Sequence, residues 1–134
     1  MHMASSGDPI KDAALEFLQA YWEADLPRAL AACTAGAIAS LPPSAPFPTP
    51  SPIEMVLPRI FSRVYTRFVG GFDITVDRCL SCGATVIVEY TAKGALTAGD
   101  RFACQYLAVL EIEQGRVAQW KPYMDTKYVA EKLL

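Results

Sequence analysis

The local motif of this chain that could carry chemistry is a pair of cysteines two residues apart, in Cys79-Leu80-Ser81-Cys82. Two thiols at this spacing can form half of a zinc site or a redox-active dithiol. A zinc site needs further ligands, and the single histidine of the chain is His2. A redox dithiol lies at a helix start, where the helix dipole lowers the thiol pKa, whereas this motif lies between two strand-like runs. We therefore interpret these cysteines as structural, with a redox or metal role as the alternative, and we expect no cofactor and no metal.

The composition excludes several classes of protein. The 134 residues include 12 basic and 14 acidic side chains and give a net charge of −2, with no basic stripe of the kind that binds phosphate backbones. A hydrophobic content of 52% is too high for a disordered chain. No apolar run approaches the ~20 residues that cross a bilayer, and no secretory signal is visible. We expect one cytoplasmic domain over residues 1–134 that contacts no nucleic acid and no membrane, with residues 1–8 disordered or expression-derived.

Two helices are predicted in the first third of the chain. Asp8 followed by Pro9 is a typical helix start, because the aspartate can cap the free amides and proline suits the first turn. Apolar residues then recur on one helical face: Ile10, Ala13, Ala14, Phe17, Leu18 and Tyr21. Asp25 can cap a second, shorter helix with Pro27 in its first turn. A short strand is expected over residues 36–41.

A proline-rich loop and a third helix are predicted next. Six prolines fall within residues 41–52, and because proline has a fixed φ and no amide donor, they predict an ordered, extended loop. Ser51 and Glu54 have the three-residue spacing of a capping box, which predicts the start of a helix. Pro58 should kink or delay this helix, and Gly70-Gly71 should end it.

From Phe72 onward the apolar residues recur with a period of two, which is typical of strands. The predicted strands cover residues 72–77, 84–91, 102–113 and 116–124. Asp125 can cap a last helix that runs through Leu133, and we assign it this capping role rather than a chemical one. The order of elements predicts an α+β fold in which the helices pack on one face of a curved antiparallel sheet.

Three segments resemble the SnoaL-like proteins of the nuclear-transport-factor-2-like (cystatin-like) superfamily. They are FLQAYWEADL at residues 17–26, LEIEQGRVAQW at residues 110–120, and YMD at residues 123–125. The resemblance covers nearly the whole chain in element order. It implies a cystatin-like cone that encloses a central pocket between helices and sheet, commonly in a homodimer. Its members include polyketide cyclases, ketosteroid isomerases and epoxide hydrolases, so the fold alone does not determine the function.

The catalytic residues of those enzymes are not matched in this chain. The arginine and aspartate of the limonene-epoxide-hydrolase-like enzymes would fall at Glu89 and Thr91. Their second aspartate, which corresponds to the acid/base of the cyclases, would fall at Pro122. In the ketosteroid isomerases, the tyrosine of the first helix would match Phe17, and the aspartate after the first strand would match roughly Leu41. None of these mechanisms therefore carries over intact.

The resemblance, combined with strand alternation, predicts the side chains that line the pocket. The strands would contribute Thr85, Ile87, Glu89, Thr91, Cys104, Tyr106, Ala108, Leu110, Trp120 and Pro122. The helices and the first strand would contribute Phe17, Tyr21, Ile60, Phe61, Val64 and Ser40. The predicted ligand-binding residues among them are Phe17, Tyr21, Ser40, Phe61, Thr91, Cys104 and Trp120. So apolar a pocket suits a hydrophobic ligand that carries one or two oxygens.

Glu89 is the candidate acid/base of this predicted pocket. Because no lysine or arginine would pair with it there, desolvation would favour its protonated form. It could then abstract a proton next to a carbonyl or donate a hydrogen bond, while Tyr106 on the next strand bonds the developing enolate oxygen. A shift of strand phase by one residue would instead turn Glu89 to the outer face as a solvated or interface charge.

The opposite sheet face would expose an apolar patch, which soluble proteins usually bury against a partner. Its predicted members are Val86, Val88, Tyr90, Leu107 and Val109. We therefore expect a homodimer through this convex face. Three functions remain open: an isomerase or cyclase that acts on a hydrophobic carbonyl compound with Glu89 and Tyr106, a non-catalytic module that binds an apolar small molecule, and a dimerisation module whose pocket is filled by its own side chains.

Overall fold

The computed structural model of the chain describes residues 7–134. Within this range, four helices and six strands are formed, with one turn of 3-10 helix at Tyr65–Arg67. The helices are α1 (Pro9–Trp22), α2 (Leu26–Ala31), α3 (Ile53–Arg63) and α4 (Thr126–Leu133). The strands are β1 (Cys33–Ala39), β2 (Ser51–Pro52), β3 (Phe68–Cys82), β4 (Thr85–Leu96), β5 (Arg101–Glu113) and β6 (Arg116–Met124).

The strands form one curved, open sheet in the order β2-β1-β6-β5-β4-β3, and the helices pack against it. The predicted α+β class is therefore confirmed. The prediction of a purely antiparallel sheet is wrong at one pair, because β1 runs parallel to β6 while the other neighbours are antiparallel. The helices and loop between β1 and the hairpins provide the crossover that a parallel pair requires.

Aspartate caps start three of the four helices, as predicted. Asp8 Oδ1 accepts a hydrogen bond from the Ile10 amide at 2.9 Å, and Asp25 Oδ1 accepts one from the Arg28 amide at 3.2 Å. Asp125 caps α4 in the same way. Asp8 is ordered as the cap of α1. The expectation of a disordered or expression-derived terminus over residues 1–8 stays a prediction, and residues 1–6 lie outside the described part of the chain.

The third helix differs from its prediction at both ends. The Ser51 hydroxyl donates to the Pro48 carbonyl oxygen at 2.6 Å, so it does not form the predicted capping box. The helix continues through Pro58 and ends at Arg63. Gly70-Gly71 does not end it, because β3 has already begun at Phe68 and both glycines lie within that strand. Pairing of β3 with β4 outweighs the local tendency of the glycines to break structure.

Strand β4 has the opposite phase to the predicted one. Its inner side chains are Val86, Val88, Tyr90 and Ala92, which are buried against the helices. Strand β5 has the predicted phase, with Cys104, Tyr106, Ala108 and Leu110 inside. Directly opposite residues of an antiparallel pair share a face, and Tyr106 lies opposite Tyr90, whereas Glu89 lies opposite Leu107. Because residues 86–88 are all apolar, their alternation could not determine which face turns inward.

Candidate functional site

A partly enclosed cavity of about 80 Å³ lies between the inner face of the sheet and the helices. Its inner wall consists of Tyr21, Trp22, Ile60, Val64, Tyr65, Phe68, Tyr106 and Met124. Two segments cover it on the outside: the proline loop, which we define as residues 41–50, and helix α4 with Val129 and Leu133. Pockets that hold drug-sized ligands have volumes of roughly 300–1,000 Å³. In this conformation the cavity therefore has room for only a few atoms.

The interior is filled largely by the protein's own aromatic rings. The ring centroids of Tyr21 and Trp120 are 4.9 Å apart, and those of Trp22 and Tyr106 are 5.1 Å apart. Tyr90 stacks on Tyr106 at 5.3 Å. Offset and edge-on pairs of this kind add roughly 0.5–1.5 kcal/mol each beyond the burial of their surface. The aromatic cluster thus stabilises the domain and also forms the cavity wall.

Two polar groups within this interior lack hydrogen-bond partners among the described residues: the Tyr65 hydroxyl and the Trp120 Nε1–H. The indole of Trp22, by contrast, donates to the Tyr90 hydroxyl at 3.0 Å. An unpaired buried polar group costs roughly 1–3 kcal/mol, so such groups need an explanation. Because Tyr65 lies on the cavity wall, its hydroxyl can meet a ligand once the rings around it shift.

The tyrosines around the cavity are held in their neutral form. Burial raises the pKa of Tyr21 to about 12, and the nearby Tyr65 hydroxyl partly offsets this shift. The two hydroxyls lie close together, but their relative orientation is not that of a hydrogen bond. Burial is also the main cause that raises the pKa of Tyr65 and that of Tyr106 well above the ordinary value, and Tyr21 contributes to both shifts. At neutral pH these hydroxyls are therefore hydrogen-bond donors and do not act as anions. None of the described side chains on the cavity wall is a carboxylate, an imidazole or a cation.

Glu89 lies on the outer face of the sheet, so its predicted place in the pocket beside Tyr106 is wrong. Its side chain is 42% exposed, and Oε1 is 3.7 Å from Nε of Arg78, the residue opposite it on β3. Thr91 shares this outer face, where its hydroxyl donates to Asp77 Oδ2 at 3.2 Å. The phase of β4 accounts for both corrections. The proposed proton transfer between Glu89 and a ligand held by Tyr106 therefore has no geometric basis.

Thr85 and Ile87, which were also predicted to line the pocket, lie on the outer face with Glu89, because they alternate with the buried residues of β4. The other predicted pocket residues lie on the inner side or at the rim. Tyr21 and Tyr106 line the cavity. Phe17, Cys104 and Trp120 are buried within the core, and half-buried Phe61 packs against Tyr21 and Tyr65. Ser40 follows β1, where its amide donates to the Trp120 carbonyl, and it lines a surface hollow of the proline loop. Their roles in ligand binding stay predictions.

Comparison with known proteins identifies the family. The model of the SnoaL-like domain family matches residues 14–120, which is more than half of the chain. The chain belongs to the SnoaL-like domain family. No curated protein sequence matches it. The described helices include none that is long and apolar enough to cross a membrane.

Solved structures with this fold show the same architecture at low sequence identity. TerC, crystallised with polyporic acid, is 14% identical with a TM-score of 0.77, over 94% of this SnoaL-like chain and 98% of TerC. An LEH-like epoxide hydrolase from M. tuberculosis is 22% identical with a TM-score of 0.68, over 93% and 89%. A SnoaL-like polyketide cyclase candidate from Jannaschia sp. CCS1 is 13% identical with a TM-score of 0.75, over 99% and 97%. At these identities the comparisons establish the fold alone.

The cysteine pair of this SnoaL-like domain is divided between the two faces of β3. Cys79 is half-buried on the inner side, opposite Val88, and Cys82 is exposed near the hairpin turn, opposite Thr85. Three residues along an extended strand span about 10 Å, which is too far for a disulfide. Burial raises the pKa of the Cys79 thiol, which opposes redox activation. Across residues 7–134, no cluster of three or more His, Cys, Asp or Glu side chains is arranged to hold a metal ion.

Four residues of the inner cavity wall were not predicted from the sequence: Trp22, Tyr65, Phe68 and Met124. Tyr65 and Phe68 carry a usable signal, because both continue the apolar stripe that begins at Ile53. The sequence predicts one helix as far as Gly70-Gly71, whereas Tyr65 lies in the 3-10 turn and Phe68 starts β3. No pattern in the sequence indicated that helix α4 covers the cavity, because the contacts that dock this helix join residues distant in sequence.

Proposed function

We propose that this SnoaL-like domain binds an apolar small molecule that carries one or two oxygen atoms in the cavity beneath α4 and the proline loop. The observation that supports this most directly is the Tyr65 hydroxyl, which is buried at the cavity wall without a partner. A ligand oxygen that accepts its hydrogen bond would remove a penalty of roughly 1–3 kcal/mol. The apolar walls would bury the rest of the molecule.

The chemistry of the wall favours binding over acid/base catalysis. Because burial raises the pKa of Tyr21, Tyr65 and Tyr106, these groups can donate hydrogen bonds to a carbonyl or ether oxygen but do not remove protons at neutral pH. The carboxylate expected to act as the base, Glu89, is on the other face of the sheet. We therefore favour the non-catalytic module over an isomerase or cyclase.

A ligand of more than a few atoms needs the cavity to widen, and the cover is one part of its wall that can move. Helix α4 is attached by the Lys132 Nζ–Asp100 Oδ2 ion pair at 2.5 Å and by the Tyr128 hydroxyl, which accepts from the Ala103 amide at 3.0 Å. The proline loop is closed by the Thr49 hydroxyl, which bonds the Leu41 backbone. Segments held by few exposed bonds open at low free-energy cost compared with global unfolding.

The experiment compares two probes of similar shape, acetophenone and ethylbenzene, of which only the first carries an oxygen. We expect the wild-type domain to bind acetophenone tighter by on the order of tenfold, the value of one hydrogen bond to a buried donor. Tyr65→Phe should remove this preference and leave ethylbenzene binding unchanged. The control Tyr123→Phe removes an exposed hydroxyl on the outer face and should change neither affinity. Heteronuclear NMR titration measures both dissociation constants, and equal affinity of the wild type for the two probes would contradict the proposal.

We also propose that the outer face of the sheet forms a homodimer. The central residues of this face are Leu80, Ile87 and Val109, which are neighbours across three strands. Leu80 is 50% exposed and Ile87 38% exposed, and Tyr123 adds a further ring that is 50% exposed. Contiguous apolar patches of this kind typically mark association surfaces. A second copy would cover the patch in an isologous contact.

A further inference from the structure

A second hollow, of about 300 Å³, adjoins the cavity and opens at the surface beside the start of β3. Its walls include Trp22, Tyr65, Phe68, Phe72 and the backbone of Gly70-Gly71. Three of these residues, Trp22, Tyr65 and Phe68, also line the cavity. One layer of aromatic rings therefore separates the cavity from a hollow that is several times larger.

The hollow exists because β3 bulges away from β4. Val69 lies opposite Ala95 and Asp73 lies opposite Lys93, so three residues of β3 face the single residue Gly94 of β4. Such a bulge bends the strand locally. A Cβ atom added at Gly70 or at Gly71 would meet no other atom within 4 Å, which shows that the backbone here borders open space.

Two of the three rings in the separating layer are held in place. The Trp22 indole donates its hydrogen bond to the Tyr90 hydroxyl. The Phe68 ring lies directly on Gly94, where an added Cβ would be 3.1 Å from Phe68 Cδ1, and it packs against Phe72 with centroids 4.2 Å apart.

The third ring, Tyr65, is not fixed by a hydrogen bond of good geometry within the described part of the chain, although its hydroxyl lies near that of Tyr21. Tyr65 belongs to the short 3-10 turn that connects α3 to β3. Its rotation would sacrifice only ring contacts, such as the stacking on Trp22 at 6.1 Å.

We propose that the hollow is the outer compartment of the ligand site, and that the Tyr65 side chain is the movable partition through which a small aromatic ligand reaches the cavity. This inference rests on the binding function proposed above. The aromatic walls and the exposed glycine backbone suit a flat, apolar ring, which can pass from the hollow to the cavity without crossing polar groups.

The first test measures exchange kinetics of acetophenone by NMR lineshape analysis. Gly71→Phe places a ring in the hollow, and it should slow association and dissociation by at least about tenfold while the dissociation constant changes little, as expected for an obstructed route. The matched control Ala98→Phe places the same ring on the exposed turn between β4 and β5, which lines neither the hollow nor the cavity, and should leave both rates unchanged. If Gly71→Phe changes neither rate, or if only the control variant slows exchange, the movable partition is refuted and the proposed binding function is unaffected.

The second test needs no ligand. In the wild-type domain, relaxation dispersion of ring-labelled tyrosines should show Tyr65 exchanging between two positions on the microsecond-to-millisecond scale, while the hydrogen-bonded Tyr90 does not. Gly71→Phe should suppress this exchange. If Tyr65 moves in this way but acetophenone does not bind, the result contradicts the proposed binding of this probe and supports the motion of Tyr65. A Tyr65 ring as rigid as Tyr90 would refute the partition itself.

Discussion

The rings of Tyr90 and Tyr106 stack at 5.3 Å with their planes 8° from parallel, because the two residues lie directly opposite each other on β4 and β5. This pairing places both tyrosines on the inner face of the sheet. It therefore assigns the alternate residues, including Glu89, to the outer face.

Substitution Glu89→Gln should leave ligand binding unchanged. The carboxylate makes one exposed ion pair with Arg78, and such pairs contribute about 0–1 kcal/mol. We expect the dissociation constant for acetophenone to stay at the wild-type value and the free energy of unfolding to change by less than about 1 kcal/mol. Calorimetric titration and urea denaturation measure the two quantities. A loss of binding in this variant would mean that Glu89 acts in the site after all.

Substitution Gly94→Ala should destabilise the domain by roughly 1–3 kcal/mol through overpacking. The new methyl group would lie 3.1 Å from Phe68 Cδ1, and Phe68 cannot retreat because it packs against Phe72 and Phe102. The matched control Gly71→Ala adds the same methyl group to open space and should be neutral or slightly stabilising. Urea denaturation distinguishes the variants, and equal stability of the two would show that Phe68 is free to shift.

The stability of the domain should fall in alkaline solution as the buried tyrosines lose protons. Burial raises the pKa of Tyr21 to about 12 in the folded state, against ~10 when unfolded, so its contribution is fully present below pH ~10 and is lost as the pH rises through the folded value. One such group adds a slope of up to ~1.4 kcal/mol per pH unit. Tyr21→Phe should reduce the slope between pH 10 and pH 12, measured by urea denaturation at each pH. The exposed-hydroxyl control Tyr123→Phe should retain the wild-type slope, and an unchanged slope in Tyr21→Phe would contradict the prediction.

Substitution Ile87→Glu should convert a wild-type dimer to a monomer. The new carboxylate would lie between Leu80 and Val109 on the outer face, where burial against a second copy would leave it unpaired. Sedimentation velocity at micromolar concentration measures the change. The control Lys127→Glu changes the charge more than Ile87→Glu does, but it lies on the exposed side of α4, away from the patch. This variant should remain a dimer. A wild-type protein that sediments as a monomer would refute the proposed dimer.

The sequence alone was sufficient for three helix starts and a hairpin turn, which depend on neighbouring residues. The starts of α1, α2 and α4 follow from Asp8, Asp25 and Asp125, because an aspartate caps amides only two or three residues away. The hairpin turn at Gln114-Gly115 follows likewise from local turn chemistry. The α+β class and the SnoaL-like family followed from the order of these elements and from their residue patterns.

Only the tertiary structure decided the phase of β4, the end of α3 and the size of the cavity. Residues 86–88 are apolar on both faces, so only their pairing with β5 selects the inner set and turns Glu89 outward. Gly70-Gly71 can break a helix or bulge within a strand, and pairing with β4 selects the strand. The cavity is small because rings from α1, the 3-10 turn and β5 meet inside it. Contacts between residues so distant in sequence leave no local pattern that could have predicted them.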